Sequence, residues 1–162
     1  MLIAIALVVV AAVGALVGFV RNAAHDPGRW HKDPLTEPKP SRPNSFRIGP
    51  EHGAHGATVE PDEVAPTFPV AVDDLAAAFD SVATGEPSVE VVAGSATDGH
   101  VTYVQRSKTM GYPDYVSVRF IDLGDGTSTV SAFSRARFGY SDMGVNHQRL
   151  DRWMSGVGDR LG

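Results

Sequence analysis

Two short stretches of the chain share residues that could carry acid–base chemistry. Gly-Tyr-x-Asp stands at residues 111–114 and returns at residues 139–142. The second copy contains Ser141 and Asp142, and His147 follows it, so a hydroxyl nucleophile, a carboxylate and a base lie close together in sequence. A nucleophile elbow, however, needs glycine two residues after the serine, where this chain has methionine. A hydrolase-like enzyme using these three side chains is therefore an alternative, and we assign no catalytic residue.

Both corners also have a purely structural explanation, because glycine permits positive φ, aspartate caps turns and tyrosine covers the end of a core. Even so, the predicted topology places the two corners close together in space. In an antiparallel meander the second and fourth strands run the same way, so both corners leave one edge of the sheet ~10 Å apart. The residues expected along this rim are Tyr112, Asp114, Tyr140, Ser141 and Asp142.

A set of basic residues follows from strand alternation. If Val116 and Val118 face the core, Arg119 faces away, and the same alternation applies to the neighbouring strands. Such a face could hold a phosphate, a carboxylate or anionic lipid headgroups, for which arginine supplies forked donors. A solvated sheet face is the other interpretation. The residues expected on this face are Arg106, Lys108, Arg119, Arg135 and Arg137.

The elements that must position these residues are two helices and four strands. Apolar residues recur at helical spacing in the first and last segments and alternate in the middle ones, and short Gly-containing turns join the strands. We predict an α+β fold with a four-stranded antiparallel meander and two amphipathic helices on one face. The helices are expected at 72–85 and 145–157, and the strands at 88–96, 100–109, 115–123 and 127–137.

The first residues predict a transmembrane helix. Residues 2–20 contain no charged or strongly polar side chain, and at ~1.5 Å per residue they reach ~28 Å, close to the hydrocarbon thickness of a bilayer. A cleaved signal peptide is the alternative. The absence of a preceding basic residue, the length of the apolar run and the poor cleavage site at 22–24 count against cleavage.

A proline-rich stretch separates this segment from the predicted strands and helices. Residues 21–69 hold nine of the eleven prolines, which predicts an extended spacer because proline fixes φ and removes a donor. Trp30 is expected to dock on the domain or at the bilayer interface. The sequence therefore divides into an anchor at 1–21, a stalk at 22–69 and an α+β domain at 70–162.

Composition excludes several classes of function. The chain has 162 residues, a formal charge of −5 and no cysteine, so thiol catalysis, disulfides and cysteine zinc sites are excluded, and nucleic acid is not an expected partner. His52 and His55 lie in a Gly-rich loop without a third ligand, so no metal site is predicted. No phosphate loop or dinucleotide fingerprint occurs, and no cofactor is expected.

Two stretches resemble a known family. TYVQRSKTMGYPDYVSVR at 102–119 and SRARFGYSDMGVNHQRLDRW at 134–153 are similar to the domain of unknown function 1499 family of small bacterial and plastid proteins, over roughly residues 66–158. The resemblance implies no established activity. It implies a unit in which arginine pairs with aspartate and asparagine holds the turn, and that unit comprises Arg135, Arg137, Ser141, Asp142, Gly144 and Asn146.

The expected function is a membrane-anchored module that binds an anionic small molecule or a lipid headgroup through the basic face and the rim. An envelope scaffold that contacts another protein is a further alternative. The basic residues all follow the apolar segment, which favours a cytoplasmic domain by the positive-inside rule. The resemblance instead implies an envelope protein, and on that ground we prefer a single-pass protein of the bacterial inner membrane with a periplasmic domain.

Overall fold

The structure is a computed structural model that describes residues 1–162, except for the side chain of Leu2. It consists of four helices and six strands, which we number in chain order. The helices are α1 (Leu2–Arg21), α2 (Pro27–Trp30), α3 (Val72–Gly85) and α4 (Val145–Leu161). The strands are β1 (Ser45–Gly49), β2 (Glu63–Val64), β3 (Val89–Ser95), β4 (His100–Arg106), β5 (Pro113–Gly124) and β6 (Thr127–Ala136).

All six strands form one sheet in the order β2-β1-β6-β5-β4-β3. Strands β3 to β6 are the predicted antiparallel meander, with Tyr103 opposite Val116 and Val118 opposite Ala132. The predicted number of four strands is wrong, because β1 pairs antiparallel with β6 and β2 pairs parallel with β1. The sheet therefore continues into the proline-rich part of the chain.

The local sequence explains why β1 is a strand. Residues 45–49 contain no proline, and Phe46 and Ile48 alternate with Arg47, which is the period of a strand with one buried face. Ile48 joins the core. The expectation that residues 22–69 form a spacer outside the sheet is thus wrong for β1 and β2. The predicted boundary between stalk and domain at residue 70 remains a prediction. β1 and β2 lie before that residue and nevertheless belong to the sheet.

The helices α3 and α4 cover one face of the sheet and enclose the core, as predicted. Phe79 of α3 and Trp153 of α4 are fully buried, with ring centroids 5.9 Å apart in an edge-to-face arrangement, and Tyr103 of β4 lies 5.8 Å from the same tryptophan. Aromatic side chains of this size supply most of the buried apolar area in a small domain. One complete face of the sheet is therefore used for stability.

The opposite face of the sheet is covered by residues 22–37, which we call the strap. Trp30 of the strap is buried and stacks on Tyr115 of β5, with ring centroids 4.0 Å apart and planes at 5°. Asp33 pairs with Arg119 at 2.6 Å, and His31 Nδ1 lies 2.9 Å from Thr102 Oγ1. Trp30 was expected either on the domain or at the bilayer interface, and the structure shows it docked on the domain. The basic face is consequently a covered surface and not an open one.

Helix α1 is apolar along its length, and the segment Ile3–Arg21 is long and apolar enough to cross a membrane. Only 6% of that segment is buried against the rest of the protein. A core helix would be mostly buried, so exposure fits a bilayer span, although a signal sequence near the N-terminus has the same composition.

Candidate functional site

The two Gly-Tyr-x-Asp corners lie at one edge of the sheet. Asp114 at the start of β5 pairs with Ala136 at the end of β6, and the backbone N–H of Arg137 donates to the carbonyl of Pro113. Tyr112 and Phe138, one from each corner, have ring centroids 6.0 Å apart. The topological prediction that brought the corners together is therefore correct.

Within the second corner, Asp142 organises the start of α4. Its Oδ1 accepts from the backbone N–H of Gly144 at 3.1 Å, and its Oδ2 accepts from the backbone N–H of Asn146 at 2.9 Å. The Asn146 side chain donates to the same carboxylate at 2.6 Å and to the carbonyl of Asn44 at 3.0 Å. Asp142 and Asn146 thus hold the turn and tie it to the chain that precedes β1.

Beneath this corner lies a buried polar network centred on Arg149 of α4. Its Nη2 donates to Asp114 at 2.7 Å, its Nε donates to Gln105 at 2.6 Å, and its Nη1 donates to Ser134 at 2.9 Å and to Asn146 at 2.6 Å. Burial raises the pKa of Asp114, while Arg149 opposes that shift. Arg149 therefore pairs with Asp114 of the first corner. The expected pairing of Arg135 or Arg137 with Asp142 is wrong. Among the described residues, the Asp142 carboxylate accepts hydrogen bonds only from Gly144 and Asn146.

Ser141 and His147 do not form the arrangement that a serine hydrolase needs. Ser141 Oγ accepts from the backbone N–H of Met143 at 3.2 Å. His147 stacks on Phe46 at 4.0 Å between ring centroids, and its Nε2 lies 3.2 Å from Asp151. No hydrogen bond joins Ser141 to His147 in the described part of the chain. The geometry does not support the hydrolase alternative.

A surface cluster of possible metal ligands contains the same histidine. Glu63, His147 and Asp151 each bring one donor atom within 4.8 Å of the others, and all three are exposed. The His147 Nε2 is also 4.0 Å from Glu63. Exposed acidic groups commonly gather in this way without an ion, so we assign no metal to the cluster. Two residues predicted for the rim, Tyr140 and Ser141, are exposed in the second corner. Among the described residues, neither side chain forms a hydrogen bond with another helix or strand.

Four of the five predicted basic residues, all except Lys108, lie on the sheet face that the strap covers. Arg106 donates to the carbonyl of Val20 at 3.4 Å and lies 2.8 Å from His25 Nε2, and Arg137 donates to the carbonyl of Ala24 at 2.8 Å. Arg119 is the one that pairs with a strap carboxylate. Lys108 lies beyond the end of β4, is exposed and makes no such contact.

Arg135 occupies the centre of the covered face. It lies on β6 two residues after Phe133, so strand alternation puts both side chains on the strap side. Its Nη2 donates to the carbonyl of Trp30 and, at 3.3 Å, to Ser117 Oγ. Its Nη1 is buried and has no hydrogen-bond partner among the described residues.

In the described part of the chain, no carboxylate forms an ion pair with Arg135. Of the ion pairs in the described residues, none includes it or its neighbour Arg47. Both guanidinium groups lie near the ring of Phe133, at 5.0 Å and 4.0 Å from its centroid. Burial lowers the pKa of Arg135 to about 10; the charge of Glu37 opposes this shift and the charge of Arg47 adds to it. Burial also lowers the pKa of Arg47, against the charges of Asp62 and Glu37. Two buried cations whose nearby carboxylates, Glu37 and Asp62, form no ion pair with their side chains make an electropositive centre, which favours an anion.

A cleft of about 560 Å³ opens over this centre, between the strap, the segment before β1 and the end of β6. Five of its lining residues are arginine or lysine, and a single carboxylate, that of Glu37, lines it. A site of this volume accommodates a phosphorylated or carboxylated small molecule or a lipid headgroup. The lining residues are Arg29, Trp30, Lys32, Glu37, Pro38, Pro40, Arg42, Asn44, Arg135, Ala136 and Arg137.

The comparison with protein families matches a model described as a protein of unknown function (DUF1499) over residues 36–157. The chain belongs to the DUF1499 family. A comparison with curated proteins finds no match. The DUF1499 region contains the buried arginines Arg47, Arg135 and Arg149, whereas Arg29 and Trp30 of the cleft lie before it.

Sequence reasoning missed two buried arginines and several cleft residues of this DUF1499 protein. Arg47 was overlooked because its strand lies in the proline-rich stretch, although its position between two apolar residues was a signal. Arg149 stands four residues before Trp153 and therefore on the buried stripe of α4, which was a signal as well. Arg29, Lys32 and Arg42 had no pattern of their own, since only the docking of the strap and the pairing of β1 with β6 bring them to the cleft.

Three histidines lie at the contact between strap and sheet, and their lowered pKa values predict that this contact depends on pH. Burial is the largest cause of a lowered pKa for His25, His31 and His100, and the nearby arginines or the second histidine add to it. His31 and His100 stack at 3.9 Å between ring centroids. Arg106 donates to His25 Nε2, which requires that nitrogen to be unprotonated.

We expect the strap to loosen as the pH falls below 6.5. A lowered folded pKa means that the open state binds protons more readily, so the stabilising contribution is present above the ordinary pKa and is lost on acidification. Hydrogen exchange of the amides of residues 22–37 should accelerate between pH 7.5 and pH 5, after correction for the intrinsic rate. Amides of α3, which contains no histidine, serve as the internal control. Equal protection of the strap at both pH values would contradict the expectation.

Proposed function

We propose that the protein is a single-pass, membrane-tethered module that binds an anionic phosphate or carboxylate ligand in the cleft over Arg135. The observation that carries this proposal is that Arg135, whose buried Nη1 has no hydrogen-bond partner among the described residues, lines a cleft together with four other basic side chains. A buried unsatisfied donor on a charged group costs free energy, and an anion in the cleft would remove that cost.

The remaining contacts of Arg135 support a binding role for its free nitrogen. Its Nη2 is occupied by Trp30 and Ser117, so the plane of the guanidinium is fixed before a ligand arrives. A pre-oriented donor loses little conformational entropy on binding. Arg137, half-buried at the same cleft, supplies a second cation, and the exposed Arg29 supplies a third.

The apolar exposed helix α1 supports a tether in the bacterial inner membrane. The cleft begins eight residues after Arg21, the last residue of α1, so the site lies close to the bilayer. A soluble anion and an anionic lipid headgroup therefore share the required chemistry. We place the domain on the periplasmic side on the family resemblance alone, and a C-terminal reporter active in only one compartment tests that choice.

Arg135→Met is expected to weaken anion binding by about 10- to 150-fold, because a hydrogen bond to a charged group contributes ~1.5–3 kcal/mol. The full chain is reconstituted in nanodiscs of neutral phosphatidylcholine and titrated with inorganic pyrophosphate by isothermal calorimetry. A second arm replaces part of the neutral lipid with phosphatidylglycerol and omits pyrophosphate. Binding of pyrophosphate in neutral nanodiscs indicates a soluble ligand. A cross-link between phosphatidylglycerol and the cleft in the second arm indicates a lipid headgroup.

The control is Arg152→Met, which removes an equal charge from the opposite face of the sheet, where Arg152 pairs with Glu86. The Arg135→Met protein should remain folded, since replacing an unpaired buried charge by an apolar side chain is often neutral or stabilising. Ser117 Oγ lies 3.3 Å from the carbonyl of Trp30 and still donates to it. If both variants bind like the unmodified chain, or neither arm shows binding, the proposed function is wrong.

A further inference from the structure

The exposed apolar side chains of the domain are concentrated in the second corner. Of the five large apolar residues after residue 21 that are exposed, three lie within six positions of one another: Tyr140, Met143 and Val145. Met143 is 89% exposed and Tyr140 is 73% exposed. Single exposed apolar residues need no explanation, but a group of them on one loop indicates a contact with another apolar phase or surface.

The end of α1 lies against the first corner. Arg21 Nη2 donates to the carbonyl of Thr109 at 3.2 Å, and Arg106 Nη1 donates to the carbonyl of Val20 at 3.4 Å. At Gly111, a β-carbon would come within 2.6 Å of Arg21 Cγ, and its φ of +73° also favours glycine. The approach between the membrane helix and this corner is therefore close, and no flexible stalk separates them.

The second corner is joined to the same region. Arg137 Nη1 donates to the carbonyl of Ala24 at 2.8 Å, three residues after the end of α1, and Phe138 packs near Tyr112 of the first corner. The polar layer on each side of a bilayer is ~5–8 Å deep. Groups in direct contact with the end of a spanning helix consequently lie at or near that layer.

We propose that the second corner, residues 138–145, docks on the bilayer that α1 enters, with Tyr140 and Met143 inserted at the level of the headgroups. Tyrosine prefers this level because it has an apolar ring and a polar hydroxyl. Arg21 and Lys108 are exposed beside the first corner and complement anionic headgroups. The docked corner holds the domain in one orientation, and this inference rests on the proposed anchor but not on the anion cleft.

The absence of cysteine allows single labels to be placed without background. Tyr140→Cys and Met143→Cys carry a nitroxide label in the full chain, reconstituted in nanodiscs containing phosphatidylglycerol. Leu7→Cys in α1 reports insertion of the anchor. Val64→Cys is the matched control, since Val64 is an exposed apolar residue on β2, which runs parallel to β1 and therefore ends away from the corners.

Collision of the label with oxygen, which dissolves in lipid, is compared with collision with a water-soluble nickel complex. We expect the oxygen-to-nickel ratio at positions 140 and 143 to exceed that at position 64 several-fold and to remain below that at position 7. A high ratio at position 7 with equal ratios at 140, 143 and 64 would overturn the docking and leave the anchor intact. Low ratios at all four positions would overturn both, and neither result bears on pyrophosphate binding.

Discussion

Replacing Trp30 by alanine is expected to lower the free energy of unfolding by ~3–5 kcal/mol, the usual cost of truncating a buried tryptophan. Trp30 lies in the strap, 85 positions before its stacking partner Tyr115. Its backbone carbonyl also accepts from Arg135 and Ser117. Loss of the indole therefore removes both the apolar contact and the support that keeps this carbonyl in place.

Urea denaturation followed by circular dichroism measures this effect, and Trp30→Phe is the control because phenylalanine keeps a flat ring against Tyr115. The phenylalanine variant should lose less than half as much stability as the alanine variant. A residue in a freely extended spacer would tolerate either change. A loss below ~0.5 kcal/mol for Trp30→Ala, the range of ordinary surface substitutions, would show that the strap is not part of the folded domain.

Arg149→Met is expected to have a similar cost of ~3–5 kcal/mol, because it leaves the Asp114 carboxylate buried without its cation. The Arg149 side chain is 5% exposed and donates to four different side chains. The control is Arg152→Met three residues along α4, whose side chain is 51% exposed and whose pairing with Glu86 contributes at most ~1 kcal/mol.

A second variant separates the charge effect from the loss of packing. Asp114→Asn combined with Arg149→Met removes both charges, so the pair should be more stable than Arg149→Met alone when the free energies of unfolding are compared in a double-mutant cycle. Equal instability of the single and double variants would indicate that Arg149 acts through packing and its hydrogen bonds to Gln105 and Ser134.

The meander and the shared edge of the two corners could be predicted from the sequence because both depend on local signals. Gly124 and Gly126 flank the β5–β6 turn, and alternation of valine with polar residues fixed the faces of β4 to β6. The outward direction of Arg106, Arg119, Arg135 and Arg137 followed from that alternation alone.

The covering of the outward face could not be predicted, because it depends on contacts between distant parts of the chain. Nothing near Trp30 in sequence shows that its partner is Tyr115, and proline content favoured a spacer over a docked strap. β1 has a local signal in the alternation of Phe46 and Ile48 with Arg47, but the surrounding prolines favoured a spacer, and its partner β6 begins 78 residues after β1 ends. The cleft over Arg135 forms only when the strap packs on the sheet. The sequence therefore predicted the outward position of Arg135 but not the cleft around it.

The most direct test of the anion cleft is an anomalous diffraction experiment on the full chain crystallised with tungstate, a heavy analogue of a divalent oxyanion such as phosphate or sulfate. We expect a strong anomalous peak within hydrogen-bond distance of Arg135 Nη1, bounded by Arg137 and Arg29, and no such peak in crystals of Arg135→Met. An empty cleft at millimolar tungstate, with peaks only at exposed arginines such as Arg152, would contradict anion binding at this site.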